Sequence, residues 1–565
     1  VRFTVGPFVA VVAILLVGTG PTSVVVSAAE IPFTILFDFG DGSFVWSPAV
    51  ISFVNETNTT WDAIRRAAQT ASIPIETTWY PSFGVAILDI GNRHSPAGFI
   101  GIYLWNRTSH RWEPTDKGVS TLVIQPGDYL ALYNAAYDSL DFTARLPVPT
   151  PDHPRPSLMF RGDASNSGIA ASSAPETSRV RWDRDTEVRE IASTPAVANG
   201  SLYVTTMRRL LAIEATTGVV RWANPQVPGF SSPAVFDGSV FVGSSDGSVY
   251  RLKASDGQVQ WATPLLAQSA FSGITSSPKV VFDWVFIGTF DEYGGAGEVL
   301  SLWASNGTVR WRHPTGSVHY SSPAYADGVV YVGVMGFYNT TSRITFDPPY
   351  GVLALDAATG HERWFHPTAG SVAASVAVAP HTILAPAKDG YLYALDRENG
   401  TEAWKSAVGA GVSSPAVWGN TVFVGGGTFG LGGRVTALDL TTGSERWSFM
   451  PNGPVQASLT YAGGTIVFAT NTANGTLYAL DATNGKVRWQ FSPSPAEYIL
   501  ASPVVADGIV YAASDNGHVY AIEQVPPASI IDALGTFAVP IVLIALSLVA
   551  IVAAFVVLRR RRGAP

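Results

Sequence analysis

From residue 190 to residue 525, apolar and polar positions alternate in short runs, the period of a half-buried β-strand. The runs fall into two recurring elements. The first reads SSPAV-x-x-G-x-V-x-V-G and is plainest at 231–243, 321–333, 413–425 and 501–513, with looser copies at 192–205, 276–288, 374–386 and 457–469. The second is strand–turn–strand and ends on tryptophan. LYALDATNGKVRW closes on Trp489, and its counterparts close on Trp222, Trp261, Trp311, Trp364, Trp404 and Trp447. Each element predicts two strands, so one unit predicts four. Four-stranded units repeated about every 40 residues predict a β-propeller.

Counting sets the number of blades. The first element occurs eight times and the tryptophan element seven. The eighth unit stops at His518–Glu523 without a last strand, while Ser178–Trp182 (SRVRW) carries a tryptophan with no strands before it. Joining the two predicts an eight-bladed ring closed by its first strand, with Trp182 as the eighth tryptophan and no open edge. Seven blades, with one unit outside the ring, is the alternative.

The repeated residues read as structural. Asp356, Asp396, Asp439 and Asp481 each stand four residues before Gly360, Gly400, Gly443 and Gly485. An aspartate can accept backbone N–H bonds in a turn, and glycine supplies positive φ. Glu214, Lys253, Trp303 and Glu523 occupy the aspartate position elsewhere, which a catalytic role would not tolerate. The eight tryptophans are expected to pack between blades.

Ahead of the ring, residues 30–147 pattern differently. Ile31–Asp38 alternates as a strand, FGDGS (39–43) is a turn, and Trp61–Ala71 has helical spacing with Thr59 or Thr60 as N-cap. Strand-like runs follow at 85–90, 99–104, 121–124 and 129–133. The order β–β–α–β–β–β predicts one helix on a small mixed sheet. PVPTPDHPRP (147–156) then predicts a stiff linker, with the domain boundary at 148–156.

The two ends add a compartment. Residues 1–29 pattern as a secretory signal: Arg2, an apolar stretch at 8–17, and Ser27-Ala28-Ala29 at the expected cleavage site. Residues 533–558 are an uncharged apolar run, long enough as a helix to span a hydrocarbon core of about 30 Å, and Arg559–Arg562 follow in the tail 559–565. The expectation is a single-pass cell-membrane protein, its bulk extracellular and its basic tail cytoplasmic.

Composition narrows the chemistry. The chain has 565 residues, a net charge of −8 and no cysteine. No basic field exists to hold nucleic acid, and thiol nucleophiles, disulfides and cysteine–zinc sites are excluded. No GxSxG, HExxH or phosphate loop is present. The densest acidic point, Asp291-Glu292 with Glu298, falls short of a calcium site, so no metal or catalytic residue is assigned.

Two resemblances stand on particular motifs. TTWDAI, GIYLWN (101–106) and QPGDYLALYN (125–134) make residues 30–147 similar to the transcobalamin-like β-grasp domains of prokaryotic surface proteins, which implies a capacity for a small ligand. The AxDxxTGxxxW repeats, led by MFRGDASNSG (159–168), make residues 157–525 resemble the pyrroloquinoline-quinone-type propellers. That superfamily includes quinoprotein alcohol dehydrogenases and an outer-membrane assembly propeller. The dehydrogenases hold the quinone over calcium or a lanthanide, with a catalytic aspartate and adjacent cysteines. This chain has no cysteine and lacks their long insertions. The expected function is therefore a non-catalytic extracellular binding or scaffold protein with no cofactor, its partner an extracellular protein or small ligand. The alternatives are a divergent quinone-dependent dehydrogenase, with the quinone and calcium, and an envelope protein-assembly factor.

The non-repeating loops carry the candidate contact surface. Long insertions follow the second strands at 289–298, 334–350 and 426–434. Strand parity brings Phe290, Tyr293, Phe337, Tyr338, Tyr350 and Phe429 to one rim, joined by Phe271, His319, Tyr320, His366 and Tyr498 from loops between blades. These aromatics either form a contact surface or pack on one another to order the loops. Eight glycosylation sequons occur, at Asn55, Asn58, Asn106, Asn199, Asn306, Asn339, Asn399 and Asn474.

Overall fold

The structure, a computed structural model, describes residues 30–525 apart from 42, 53–58, 82–83, 93–99, 110, 116, 126–127, 135–144, 148, 150, 152–157, 267–272 and 428–431. The leader, the apolar run 533–558, the basic tail, Asn55, Asn58, Phe271 and Phe429 lie outside the described residues. Among the described residues no helix is long and apolar enough to cross a membrane.

The N-terminal part is a five-stranded mixed sheet of β1 (Glu30–Asp38), β2 (Phe44–Ser52), β5 (Gly101–Asn106), β6 (Arg111–Pro114) and β7 (Tyr129–Tyr133), in the order β2-β1-β7-β5-β6. Helix α1 (Thr60–Thr70) lies against it, and β3 (Ile75–Tyr80) and β4 (Gly84–Ile90) form a separate hairpin. Thr59 caps α1 through a reciprocal capping box with Asp62. The predicted strand at 121–124 is not one. Leu122 and Ile124 are buried in the core under α1, and the Leu122 carbonyl accepts a 2.7 Å bond from Thr60 Oγ1, so a helix contact takes the place of a ladder. The strand at 44–52 takes the second place in the predicted order, and those at 75–80 and 111–114 are additional to the runs predicted.

The sheet is apolar on both faces, with period two. Phe33, Ile35 and Phe37 of β1 and Leu130 and Leu132 of β7 join the core with α1. The alternate residues, Leu36, Ala131 and Tyr133, join Tyr103 and Trp112 in a core shared with the ring.

The ring has eight four-stranded sheets. Seven are built from consecutive strands, blade 1 starting at Ala196–Ala198 and blade 7 ending at Val487–Phe491; in blade 4 a small hairpin interrupts the sequence of strands. Blade 8 takes Val504–Ala506, Ile509–Ala513 and His518–Glu523 from the end of the chain, and β8 (Arg179–Asp185) as its outer strand. Trp182 pairs with Ala521, so the first strand of the ring closes the last blade. Second strands are buried throughout, as in SVFVG and TIVFA, because neighbouring blades cover both faces; outer strands such as ERWSF alternate.

Two hydrogen-bonded circuits tie the blades together. In the outer one, seven indoles donate to a turn carbonyl of the next blade, from Trp182 to Ala215 through Trp447 to Ala482, at 2.9–3.2 Å. Trp489 donates instead to Pro175, on the segment entering the ring, at 2.7 Å. At Gly400, φ is +74°, and a Cβ would lie 2.6 Å from the Trp364 indole. The turn glycine therefore serves both a left-handed backbone and a flat seat for the neighbouring ring. In the inner circuit, the N–H of Thr194, Ser232, Ser277, Ser322, Ser375, Ser414, Ser458 and Ser502 each meets the hydroxyl of the next, the last returning to Thr194, at 2.7–3.2 Å.

Candidate functional site

The ring has two unlike faces. Turns between strands 1 and 2, and 3 and 4, form one; loops after strand 2, and between blades, form the other. On the turn face, residues 158–168 run along the innermost strands. Their carbonyls at Leu158, Ala164, Ser165, Ser167 and Gly168 accept N–H bonds from Val235, Tyr325, Val378, Val417 and Tyr461, at 2.7–2.9 Å. Arg161 is buried, donating to the carbonyls of Leu459 and Pro415, and burial lowers its pKa to about 9. The Arg161-Gly162-Asp163 triplet is therefore part of the plug and not a displayed loop.

Blade 3 clamps this plug. Lys279 is fully buried, and its Nζ donates to the carbonyls of Phe160 (3.0 Å) and Asp163 (2.7 Å) and to Asn166 Oδ1 (2.8 Å). Burial lowers its pKa to about 7. Three acceptors call for three donors, which only the ammonium has, so the geometry holds it protonated.

The N-terminal domain docks on the same face. Arg145 is buried between Asp283, at 2.7 Å, and Asp237, at 3.6 Å. Its carbonyl accepts from Tyr103 Oη at 2.5 Å, and Phe282 N donates to the Gly40 carbonyl at 3.2 Å. The linker takes part, since Trp112 Nε1 donates to the Pro149 carbonyl at 2.8 Å. Beside the latch, Asp38 is buried and its pKa rises to about 7, mainly through burial, then through Asp41, against a bond from Gly40 N–H that lowers it. Sequence patterning did not single out Lys279, Asp283 or Arg145. The available signal was blade 3's departure from the repeat, SSPKVVFDW in place of SSPAVxxGx.

On the loop face, a cavity of about 420 Å³ opens at the channel mouth, lined by the hydroxyl circuit with Phe160, Phe230, Tyr320, Gln456 and Leu500. No carboxylate lines it, and among the described residues no group of three or more His, Cys, Asp or Glu converges. This donor set does not fit a quinone held over calcium, which takes six to eight oxygen ligands with carboxylates among them.

The rim aromatics divide. Phe290 and His319 are buried, their rings 4.9 Å apart, and Tyr338 and Phe346 pack around Phe290 at 5.2 and 6.0 Å. Burial, then Lys388, lowers the His319 pKa to about 4, so it stays neutral. Tyr350 Oη donates to the Phe346 carbonyl, and Tyr338 N to the Gly295 carbonyl, which joins the insertions of blades 3 and 4. Tyr293, Tyr320 and Phe337 remain exposed at 56%, 50% and 41%. His366 sits apart, against Tyr393 at 6.1 Å, and Tyr498 is half-buried at blade 8.

Residues 165–405, 350–431 and 431–525 match the family described as outer membrane protein assembly factor BamB. The chain is 29% identical over 155 residues to an alcohol dehydrogenase (quinone) dehydrogenase subunit of Gluconobacter oxydans, covering 24% of this chain and 20% of that protein. It is 28% identical over 204 residues to an outer membrane protein assembly factor BamB of Legionella pneumophila, covering 34% of this chain and 47% of that one. It thus spans about a fifth and about half of these relatives. Among solved structures, the quinohemoprotein alcohol dehydrogenase of Comamonas testosteroni superposes with a TM-score of 0.56 at 17% identity, over 66% of this chain and 80% of that one, a likeness of fold. With a single family spanning residues 165–525 and eight blades built on one repeat, the chain belongs to the PQQ-like propeller family described as outer membrane protein assembly factor BamB.

Proposed function

We propose that this protein is a membrane-anchored extracellular binding or scaffold protein whose propeller is non-catalytic. The observation that carries this reading is the state of the ring's axis. One end is filled by the 158–168 plug, and the other is lined by hydroxyls that each accept a backbone N–H from the preceding blade, with no carboxylate among them. What remains for contact is the loop face, with exposed Tyr293, Tyr320 and Phe337. The chain leaves blade 8 at the turn face, about eight residues before the apolar run begins at 533. Eight residues reach at most about 29 Å, so an anchored ring would turn its loop face away from the membrane. The sheet order β2-β1-β7-β5-β6 with one helix supports a β-grasp-like N-terminal domain.

The test is quinone titration with calcium on purified protein, followed by dye reduction with alcohols. The expected result is neither saturable binding nor turnover; both together would establish the dehydrogenase reading, which the Gluconobacter relative favours. Pull-down with and without residues 334–350 checks the rim, and recovery of the same partners from both proteins would remove it as the contact surface. The assembly-factor reading, favoured by the Legionella relative, predicts outer membrane proteins among those partners.

A further inference from the structure

A second cleft, of about 790 Å³, lies between the N-terminal sheet and blades 8 and 1. It is outside the ring's axis, and its role is independent of whether the propeller is catalytic. Its sheet wall is a contiguous patch. Thr34 pairs with Tyr129 across β1 and β7, and Trp46 pairs with Leu36 across β2 and β1. The Trp46 and Tyr129 rings stand 6.1 Å apart at 89°, forming a half-buried aromatic corner.

The opposite wall is mixed and low in profile, with the buried Val197, Ala215, Ile509 and Tyr511 beneath the polar Arg181 and Thr216. It presents the Asn199-Gly200 and Asp507-Gly508 turns, with Arg181 beside them. Glycines at these turns let backbone approach a ligand closely. The hydroxyls of Thr34, Tyr129 and Ser173 line the cleft with no hydrogen-bond partner among the described residues. Arg181 is already paired with Glu523 at 3.2 Å and donates to the Thr216 carbonyl at 2.9 Å, so it offers no free positive charge and the cleft favours a neutral occupant.

We propose that this cleft is a saccharide-binding site. A sugar ring offers a C–H face to an aromatic corner and hydroxyls to free donors and acceptors, and it carries no charge. An aromatic corner with a few convergent polar groups at a domain interface is the composition small-ligand sites share. Saccharide has two possible sources. One is a free or foreign glycan. The other is a glycan on Asn199, an exposed sequon asparagine whose neighbour Gly200 lines the cleft.

The experiment uses full chain made in a host that does not glycosylate, with maltotriose, mannotriose and chitotriose as probes, by calorimetry and saturation-transfer NMR. Saturable binding of at least one is expected. Trp46→Ala should weaken it by roughly tenfold, and Tyr129→Phe, which keeps the ring and removes the hydroxyl, by about threefold. Should Trp46→Ala disturb docking, Tyr129→Phe and Thr34→Val, which preserve shape, still decide the matter. A second arm uses glycosylated protein. If the Asn199 glycan is the occupant, the trisaccharide binds only after Asn199→Gln, and the attached glycan shows contacts to the Trp46 indole. The proposal is overturned if no probe binds the unglycosylated protein and no such contacts exist, or if binding is unchanged in the Trp46 and Tyr129 variants.

Discussion

Blades 3 and 4 stand side by side, yet their inner hairpins differ in kind. Blade 4 turns through Asp327-Gly328, at φ of 47° and 80°, residues suited to the left-handed region. Blade 3 turns through Phe282 at φ 54°, followed by Asp283. A phenylalanine there is a strained choice. Where blade 4 has Ala324, blade 3 has the buried Lys279. Each departure has a partner outside the repeat: Lys279 holds the plug, Phe282 N meets Gly40, and Asp283 meets Arg145. Within the blade, Arg310 covers Trp303, which stands where four other blades have Asp, at 4.9 Å, and Trp284 at 4.1 Å. The repeat therefore satisfies the ring, and departures from it mark where something else is attached.

Both blades depend on a closed ring, so opening it has the largest expected effect. Deleting residues 178–182 removes most of β8 and should cost more than the roughly 3–5 kcal/mol of losing a buried tryptophan alone. A calorimetric melt identical to that of the intact chain would refute the closure. Arg145→Ala leaves Asp283 buried without its cation, which costs about 3–5 kcal/mol. It should release the N-terminal domain, read as a larger radius of gyration and faster proteolysis near residue 150, while the propeller melt stays in place. Lys279→Ala makes blade 3 resemble blade 4 and strands three acceptors. A loss of about 3 kcal/mol in ring stability is expected by denaturant titration, and none if the plug is held by its backbone bonds alone.

The pH effect is smaller and has a definite sign. Asp38 has a folded pKa of about 7 against a reference value of 3.8, so the folded state binds its proton more tightly and stability falls as pH rises from about 4 to 7. Asp38→Asn should flatten that slope and raise stability at pH 8 by on the order of 1–4 kcal/mol; an unchanged slope would place the titration elsewhere. The smallest contrast is between two glycines. Gly238→Ala meets no atom within 4 Å and bears only the cost of φ +64°, about 1–2 kcal/mol. Gly400→Ala adds the clash with Trp364 and should cost more. Equal losses would show that the indole seat contributes nothing.

The ring was readable because its residues repeat. Eight copies of one strand pattern, with Trp182 supplying the missing tryptophan, predict a closure that the pairing of Trp182 with Ala521 displays. The N-terminal sheet was readable only in part. The Leu122 and Ile124 run alternates like a strand, but local alternation does not distinguish a ladder from a loop buried under a helix. The rim was placed on one face by strand parity. That Phe290 and His319 turn inward while Tyr293 and Tyr320 stay outside depends on how the blade 3 and blade 4 insertions meet.

Periodicity along the chain accounts for the architecture of the ring, its blade number, its closure and the structural standing of its Asp, Gly and Trp, and each of these is present in the order of residues. Contacts between segments far apart in the chain account for the rest. They make the Arg161-Gly162-Asp163 segment a plug, close the hydroxyls into a circuit, and join the two domains at Arg145 through Asp237 and Asp283. Arg145 and Asp283 are 138 residues apart, and burial of one charge against another at that distance leaves no local pattern to read.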